Sequence, residues 1–84
     1  MPHFVYILLC SDDTLYTGYT TNVSRRVIEH NAGKGAKYTR SRRPVTLVFR
    51  EKHRSRSLAL KREIQIKRMK RRSKLLLCAG VHPP

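Results

Sequence analysis

Glu63 is the residue of this sequence whose type and position are hardest to explain without chemistry. The chain carries 19 Lys and Arg against five acidic side chains, which are Asp12, Asp13, Glu29, Glu51 and Glu63. On a helical wheel Glu63 falls between Ala59 and Leu60, on the side of its helix that should face the fold. A carboxylate buried there needs a partner. That partner is either a cation of the chain, Lys67 or Arg26, or a bound metal ion.

Arg26 and His30 form a second candidate pair. They lie four residues apart on a predicted helix and therefore share one face. The same face carries Val23 and Val27, the apolar stripe expected to pack on a sheet. One interpretation is that both polar side chains extend past the valines to solvent. The other is that the helix points a cation and a titratable imidazole at the surface or rim of the sheet.

Tyr6 and Tyr16 lie ten residues apart in the two arms of a predicted hairpin. Cross-strand aromatic pairs are ordinary sheet packing. A tyrosine hydroxyl beside a metal-bound phosphate can also accept or relay a proton, if nearby positive charge lowers its pKa from about 10. Gly18 follows within the same strand, where a glycine indicates a bulge or the close approach of another group.

The elements that position these residues follow from local patterns. Residues 3–10, 15–20 and 45–50 are rich in β-branched and aromatic side chains and predict strands. Helices are predicted over residues 23–31, capped by Thr21 or Asn22, and from Ser55 or Ser57 to about residue 72, with a turn over residues 73–77. The order β-β-α-β-α predicts an α+β domain over residues 1–78: a small three-stranded antiparallel sheet with helices packed against it. Residues 79–84 are predicted to be a disordered tail.

The charge distribution indicates the class of partner. The net charge is +14, and residues 1–21 contain two Asp and no Lys or Arg. The hairpin is therefore expected to be scaffold, and the later blocks to contact a polyanion, either nucleic acid or an anionic membrane surface. The predicted helices lack the aromatic apolar face that a peripheral membrane protein needs. This favours nucleic acid.

Other classes of protein are disfavoured. The apolar run from Phe4 to Cys10 is far shorter than the ~20 residues of a membrane span, and the start of the chain lacks the features of a signal peptide. Cys10 and Cys78 lie 68 residues apart without metal-ligand spacing, which predicts two free thiols in a reducing compartment. The expected location is cytoplasmic.

Taken together, these residues resemble the GIY-YIG endonuclease domain. The resemblance lies in Val-Tyr-Ile at residues 5–7, Tyr-Thr-Gly at residues 16–18, and then Arg26, His30 and Glu63, and it extends to about residue 72. Residues 10–43, with Gly-Lys-Gly-Ala-Lys-Tyr-Thr-Arg at 33–40, look like the small stand-alone bacterial members. The first glycine of the family pattern is absent and Thr17 replaces an isoleucine. These departures concern strand packing more than chemistry.

The resemblance implies a metal-dependent phosphodiesterase that cuts DNA, as in repair or recombination. Glu63 would hold one divalent cation, Mg²⁺ or Mn²⁺, and Arg26 would neutralise charge on the phosphoryl oxygens. Tyr6 would activate water, with Tyr16 as a relay, and His30 would hydrogen-bond the tyrosine or the phosphate. Gly18 would let the DNA backbone approach the sheet.

Basic residues and one aromatic residue are the predicted nucleic-acid contacts. With Gly18 they are Arg25, Lys34, Lys37, Tyr38, Arg40, Arg42, Arg43 and Lys67. The extra DNA-targeting domains of many family members are missing, so a protein partner that supplies target specificity is expected, and in a bacterium an association with the nucleoid. The alternative is a basic DNA- or RNA-binding module without catalysis. An inward Glu63 beside Arg26 and two tyrosines favours the enzyme.

Overall fold

The computed structural model describes residues 1–81. Over that range it contains three strands, β1 to β3, and four helices, α1 to α4. The strands are β1 His3–Leu9, β2 Leu15–Thr20 and β3 Thr46–His53, and the helices are α1 Val23–Asn31, α2 Lys37–Arg40, α3 Arg56–Lys67 and α4 Arg71–Cys78. The predicted α+β class and the antiparallel three-stranded sheet are confirmed.

The middle strand of the sheet is β1, which pairs antiparallel with β2 on one side and β3 on the other. Successive side chains of a strand point to opposite faces. Val5 and Ile7 therefore pack on one face, in a cluster with buried residues of α3 and α4. Tyr6 and Leu8 pack on the other face, against Val27 of α1. The sheet lies between α1 on one side and α3 and α4 on the other.

The first helix has the bounds that the sequence predicts. The Asn22 side chain accepts a hydrogen bond of 3.0 Å from the backbone N–H of Arg25, which caps the helix start. Val23 and His30 are the buried residues of the helix. The cap sets the start of the helix, and the packing of its apolar stripe on the sheet places His30 in the interior.

The second long helix is shorter than predicted. Ser55 caps it, but it ends at Lys67 and not near residue 72, and a separate helix, α4, follows over the predicted turn. The break lets Met69 and Leu77 pack against the apolar cluster of β1. Packing of these two side chains has outweighed a basic segment that would otherwise favour one continuous helix.

Smaller differences concern the connections. The segment between Gly33 and Pro44, for which the sequence predicts neither helix nor strand, contains the one-turn helix α2. Strand β3 extends three residues beyond its predicted end, to His53. Both cysteines are free, as predicted. Of the predicted tail, residues 79–81 follow α4 without forming an element, and residues 82–84 lie outside the described residues. Within residues 1–81, none of the helices has the length and apolar composition to cross a bilayer.

Candidate active site

A buried hydrogen-bonded chain joins β1, α1 and α2. Tyr6 of β1 is 1 % exposed, and His30 of α1 and Thr39 of α2 are fully buried. The Tyr6 hydroxyl lies 2.8 Å from His30 Nε2, and His30 Nδ1 lies 2.7 Å from the Thr39 hydroxyl. Three segments that are separate in sequence are therefore joined through one imidazole.

Gly18 makes room for Tyr6. The two residues are direct partners across β1 and β2, and a Cβ atom on Gly18 would overlap the hydroxyl and Cζ of Tyr6. The sequence suggested that this glycine admits the DNA backbone. The structure instead gives it a packing function within the protein, and a contact with DNA remains a prediction.

Arg26 lies beside the tyrosine at the rim of the site. Its side chain is 31 % exposed, and its guanidinium donates to Glu29 Oε1 at 3.1 Å. It also reaches the Tyr6 hydroxyl closely enough to lower the pKa of Tyr6. The interpretation in which Arg26 and His30 both extend to solvent does not hold, since His30 is buried and Arg26 faces Tyr6.

The Tyr6 hydroxyl is a much weaker acid than the sequence argument requires. Burial raises the pKa of Tyr6 to about 12, and although Arg26 lowers it, Tyr16 and the Glu63 carboxylate raise it further. A lowered pKa, the condition that the sequence analysis set for proton transfer, is therefore not met in the protein without bound metal or phosphate, because desolvation outweighs the effect of Arg26. Tyr6 is therefore a neutral phenol at neutral pH.

His30 contacts that phenol through Nε2 and is held without charge. Burial lowers the pKa of His30, and the positive charge of Arg26 lowers it further, against an opposing effect of Glu29. The imidazole is thereby held in its neutral form, in which one ring nitrogen is an acceptor.

Tyr16 lies on the solvent side of the same cluster. Its ring centroid is 5.3 Å from that of His30 and 5.9 Å from that of Tyr38, onto which it stacks. The Arg42 guanidinium lies over Tyr38 at 3.9 Å and donates to Asp12 Oδ2 at 2.9 Å. Tyr38 and Arg42 thus pack against each other and are less free for stacking or phosphate contact than the sequence suggested.

Glu63 approaches the site from α3. Its side chain is 16 % exposed, and Oε2 lies 3.4 Å from the ammonium of Lys67, which is one of the two chain partners that the sequence allowed. Arg26, the other, pairs with Glu29. Lys67 is half-exposed, so this ion pair is easily rearranged.

The carboxylate of Glu63 suits a weakly held, partly hydrated cation. Among residues 1–81 no group of three or more His, Cys, Asp or Glu side chains could enclose a metal ion. Mg²⁺ is usually bound through one or two carboxylates together with waters and substrate phosphates. One acidic side chain whose charge is felt at Tyr6 fits that mode, and it does not fit a structural metal site.

The other predicted nucleic-acid contacts, apart from Arg25 in the first turn of α1, lie in the segment between α1 and β3, which contacts His30 through Thr39. Arg25, Lys34, Lys37 and Arg40 are exposed. Arg43 is fixed by hydrogen bonds to the carbonyls of Arg40 and Asn31, and it lines an open surface cavity of about 530 Å³ with Asn31, Arg40, Ser41 and Pro44.

The fold and this cluster agree with the comparison to protein families. A model described as the GIY-YIG catalytic domain matches residues 2–75. The chain therefore belongs to the GIY-YIG family, whose domain is that of a nuclease acting on nucleic acid. Nucleases of this family generally use divalent metal ions.

Within the family the chain is similar to the UPF0213 proteins. It is 59% identical over 73 residues to the UPF0213 protein of Staphylococcus haemolyticus, covering 87% of this chain and 89% of that one. It is 60% identical over 77 residues to the UPF0213 protein of Natronomonas pharaonis, covering 92% and 91%. The solution structure of the UPF0213 protein BH0048 from Bacillus halodurans is 46% identical with a TM-score of 0.62, and the match covers all of this chain and 89% of that one.

Sequence reasoning missed two contributors to the site. Thr39 completes the buried chain of hydrogen bonds, yet only its neighbours Tyr38 and Arg40 were singled out. Gly35 was named only as part of the segment 33–40, but a Cβ atom there would overlap the His30 ring, with Cγ only 2.7 Å away. Both contacts are tertiary, and no local pattern in the sequence marks them.

Proposed function

We propose that this protein is an endonuclease that hydrolyses phosphodiester bonds in DNA with the help of one divalent cation. The observation that carries the proposal is the 2.8 Å contact between Tyr6 and a neutral, buried His30, beside Arg26 and close to Glu63. A merely structural cluster has no need to place a cation, an acid and a proton-accepting pair together.

Tyr6 and His30 act as a single base in this mechanism. With its pKa raised to about 12, the phenol does not ionise by itself at neutral pH. It can take a proton from the attacking water onto its oxygen while its own hydroxyl proton moves to His30 Nε2. The proton count balances, and His30 ends as an imidazolium. Proton transfer to His30 thus lets Tyr6 act as a base although burial raises its pKa.

Arg26 and Glu63 supply the electrostatic part. The partly exposed guanidinium of Arg26 can contact the phosphoryl oxygens, on which negative charge grows during the reaction. Glu63 would hold Mg²⁺ or Mn²⁺, which when bound polarises the scissile phosphate and stabilises the leaving oxygen. Lys67 would then exchange its ion pair with Glu63 for a contact to the nucleic-acid backbone.

Binding would come from the exposed basic residues near the site. Arg25, Lys34, Lys37 and Arg40 offer charge to phosphates without a carboxylate partner among the described residues. The proposal includes a cytoplasmic location, a role in DNA repair or recombination, and a protein partner that adds target specificity. RNA is the second candidate substrate.

A cleavage assay tests the proposal. Supercoiled plasmid and branched DNA are incubated with Mg²⁺ or Mn²⁺ and the wild type, Glu63→Gln, Arg26→Ala, or Arg56→Ala, an exposed arginine outside the site that is the matched control for a lost arginine. We expect nicking by the wild type and Arg56→Ala, none by Glu63→Gln, strongly reduced nicking by Arg26→Ala, and DNA binding by all four proteins. Tight binding without cleavage by the wild type, on every DNA form and on RNA, would contradict the proposal.

That negative result defines the alternative, a basic nucleic-acid-binding module. The observation in its favour is that Lys67 already pairs with the carboxylate of Glu63. If the module is correct, Glu63→Gln will change neither binding nor its dependence on Mg²⁺.

A further inference from the structure

The position of every proton along the buried chain can be worked out from its two ends. At one end is the Tyr6 hydroxyl, which lies beside His30 Nε2 and the Arg26 guanidinium. A guanidinium has no acceptor. The hydroxyl proton of Tyr6 therefore has His30 Nε2 as its acceptor in the chain, and Nε2 carries no proton of its own.

The contacts of Thr39, at the other end of the chain of hydrogen bonds, also indicate that His30 Nε2 carries no proton. The Thr39 hydroxyl donates to the backbone carbonyl of Ala36 at 3.0 Å. A hydroxyl has one proton, so toward His30 Nδ1, 2.7 Å away, the Thr39 oxygen accepts. Nδ1 must then hold the single proton of the neutral ring, which leaves Nε2 free.

We infer that Thr39, oriented by the Ala36 carbonyl, is a positioning residue that keeps the His30 proton on Nδ1 so that Nε2 can take the proton of Tyr6. The inference rests on the proposed function for its purpose, but its geometry stands independently. Without the Thr39 oxygen nothing in the described chain would hold the proton on Nδ1. A proton on Nε2 instead would make His30 a donor to Tyr6, and the pair could not act as a base.

The segment around Thr39 is shaped for this task. Gly35 packs directly on the imidazole, and the Cβ atom it lacks would lie 2.8 Å from Cε1 of His30. The packing of Gly35 restricts the position of the imidazole ring, and the Thr39 oxygen holds the ring proton on Nδ1. The backbone that carries Lys37 and Arg40 to the surface also carries the residue that orients the histidine.

Long-range ¹H–¹⁵N correlation spectra of the imidazoles test the inference without a cleavage assay. The chain has four histidines, and the signals of His30 are those that disappear in His30→Gln. In the wild type near pH 8 we expect a protonated Nδ1 and an unprotonated Nε2. A proton on Nε2 in the wild type would overturn the inference, whatever the variants do.

Two variants separate the hydroxyl from the shape of the side chain. Thr39→Ser keeps the oxygen and should keep the wild-type spectrum. Thr39→Val keeps the shape and should move the proton toward Nε2. An unchanged spectrum in Thr39→Val would contradict a positioning role. If that variant does not fold, Thr39→Ala, which also lacks the oxygen, takes its place with the same expected and contradicting results.

Cleavage kinetics then show whether the tautomer matters. Thr39→Val should lower kcat about 10- to 100-fold, in the range typical of residues that orient an imidazole, with unchanged DNA affinity, and Thr39→Ser should restore most of it. Equal kcat for Thr39→Val and the wild type would contradict the role. If the wild type fails to cleave, the proposed function fails, while the spectra still report on the tautomer.

Discussion

Tyr6 and Gly18 face each other across β1 and β2, and the phenol ring of Tyr6 fills the space that a side chain on Gly18 would take. This contact gives a packing reason for a glycine at position 18, the last residue of Tyr-Thr-Gly. The space left by Gly18 also lets the Tyr6 side chain of β1 extend to His30 of α1.

Replacing Gly18 by alanine should displace the Tyr6 ring. The added methyl overlaps the hydroxyl and Cζ, and overpacking of this kind costs about 1–3 kcal/mol of stability. We expect a lower free energy of unfolding in urea titrations and a larger relative loss of cleavage. Gly80→Ala is the comparison: nothing lies within 4 Å of that position, so its cost comes only from backbone strain at a φ of +81°, and cleavage should not change. A Gly18→Ala protein with wild-type cleavage would show that the position of Tyr6 does not matter.

Tyr6→Phe should separate catalysis from binding. The variant keeps the ring but loses the proton donated to His30, so kcat should fall by about 10²- to 10⁴-fold, the range for a lost general base. The DNA dissociation constant should not change. Tyr19→Phe is a matched control, because that hydroxyl hydrogen-bonds His3 at 2.7 Å on the opposite face of the sheet. Equal losses in the two variants would argue against a specific role for Tyr6.

The buried His30 should make stability depend on pH. Burial and Arg26 lower the pKa of His30 in the folded protein, so the unfolded chain binds the proton more tightly. The contribution is fully present above the unfolded pKa of about 6.5 and is lost as pH falls through the lower, folded value. Urea titrations should show this decline, and His30→Gln should remove that part of the slope. An identical slope in both proteins would contradict a buried, neutral imidazole.

Thr17→Val should stabilise the protein. The Thr17 hydroxyl is buried and has no hydrogen-bond partner among the described residues. Its replacement by a methyl group of the same shape removes a desolvation cost of about 1 kcal/mol. We expect a higher melting temperature and unchanged cleavage, because Thr17 faces the α3 side of the sheet and Tyr6 the α1 side. A lower melting temperature would indicate that the hydroxyl has a partner, such as a bound water molecule.

Much of the fold was predictable because its signals are local. The alternation within β1, the Asn22 cap and the apolar stripe of α1 each depend on a few neighbouring residues, and the bounds of α1 match the prediction. The end of α3 was not predictable in the same way. It is determined by Met69 and Leu77, which reach a cluster built from distant segments.

In the site too, features with local signals could be predicted and features that depend on tertiary contacts could not. Helical spacing placed Arg26 and His30 on one face, and the lone acid of that side of α3 was correctly expected to face the fold, with Lys67 as a partner. The net rise of the Tyr6 pKa could not be predicted, because burial of a hydroxyl depends on packing that spacing does not reveal. Thr39 could not be found for a similar reason, since its contact with His30 exists only after α2 folds back over α1.

In the proposed mechanism the groups that act on the phosphate come from distant parts of the chain, from Tyr6 in β1 to Glu63 in α3. A ribosome must therefore synthesise and release α3 before the acid can join the tyrosine. Under the proposed function, a chain truncated before Glu63 would not cut nucleic acid, and cleavage would begin only after α3 has left the ribosome.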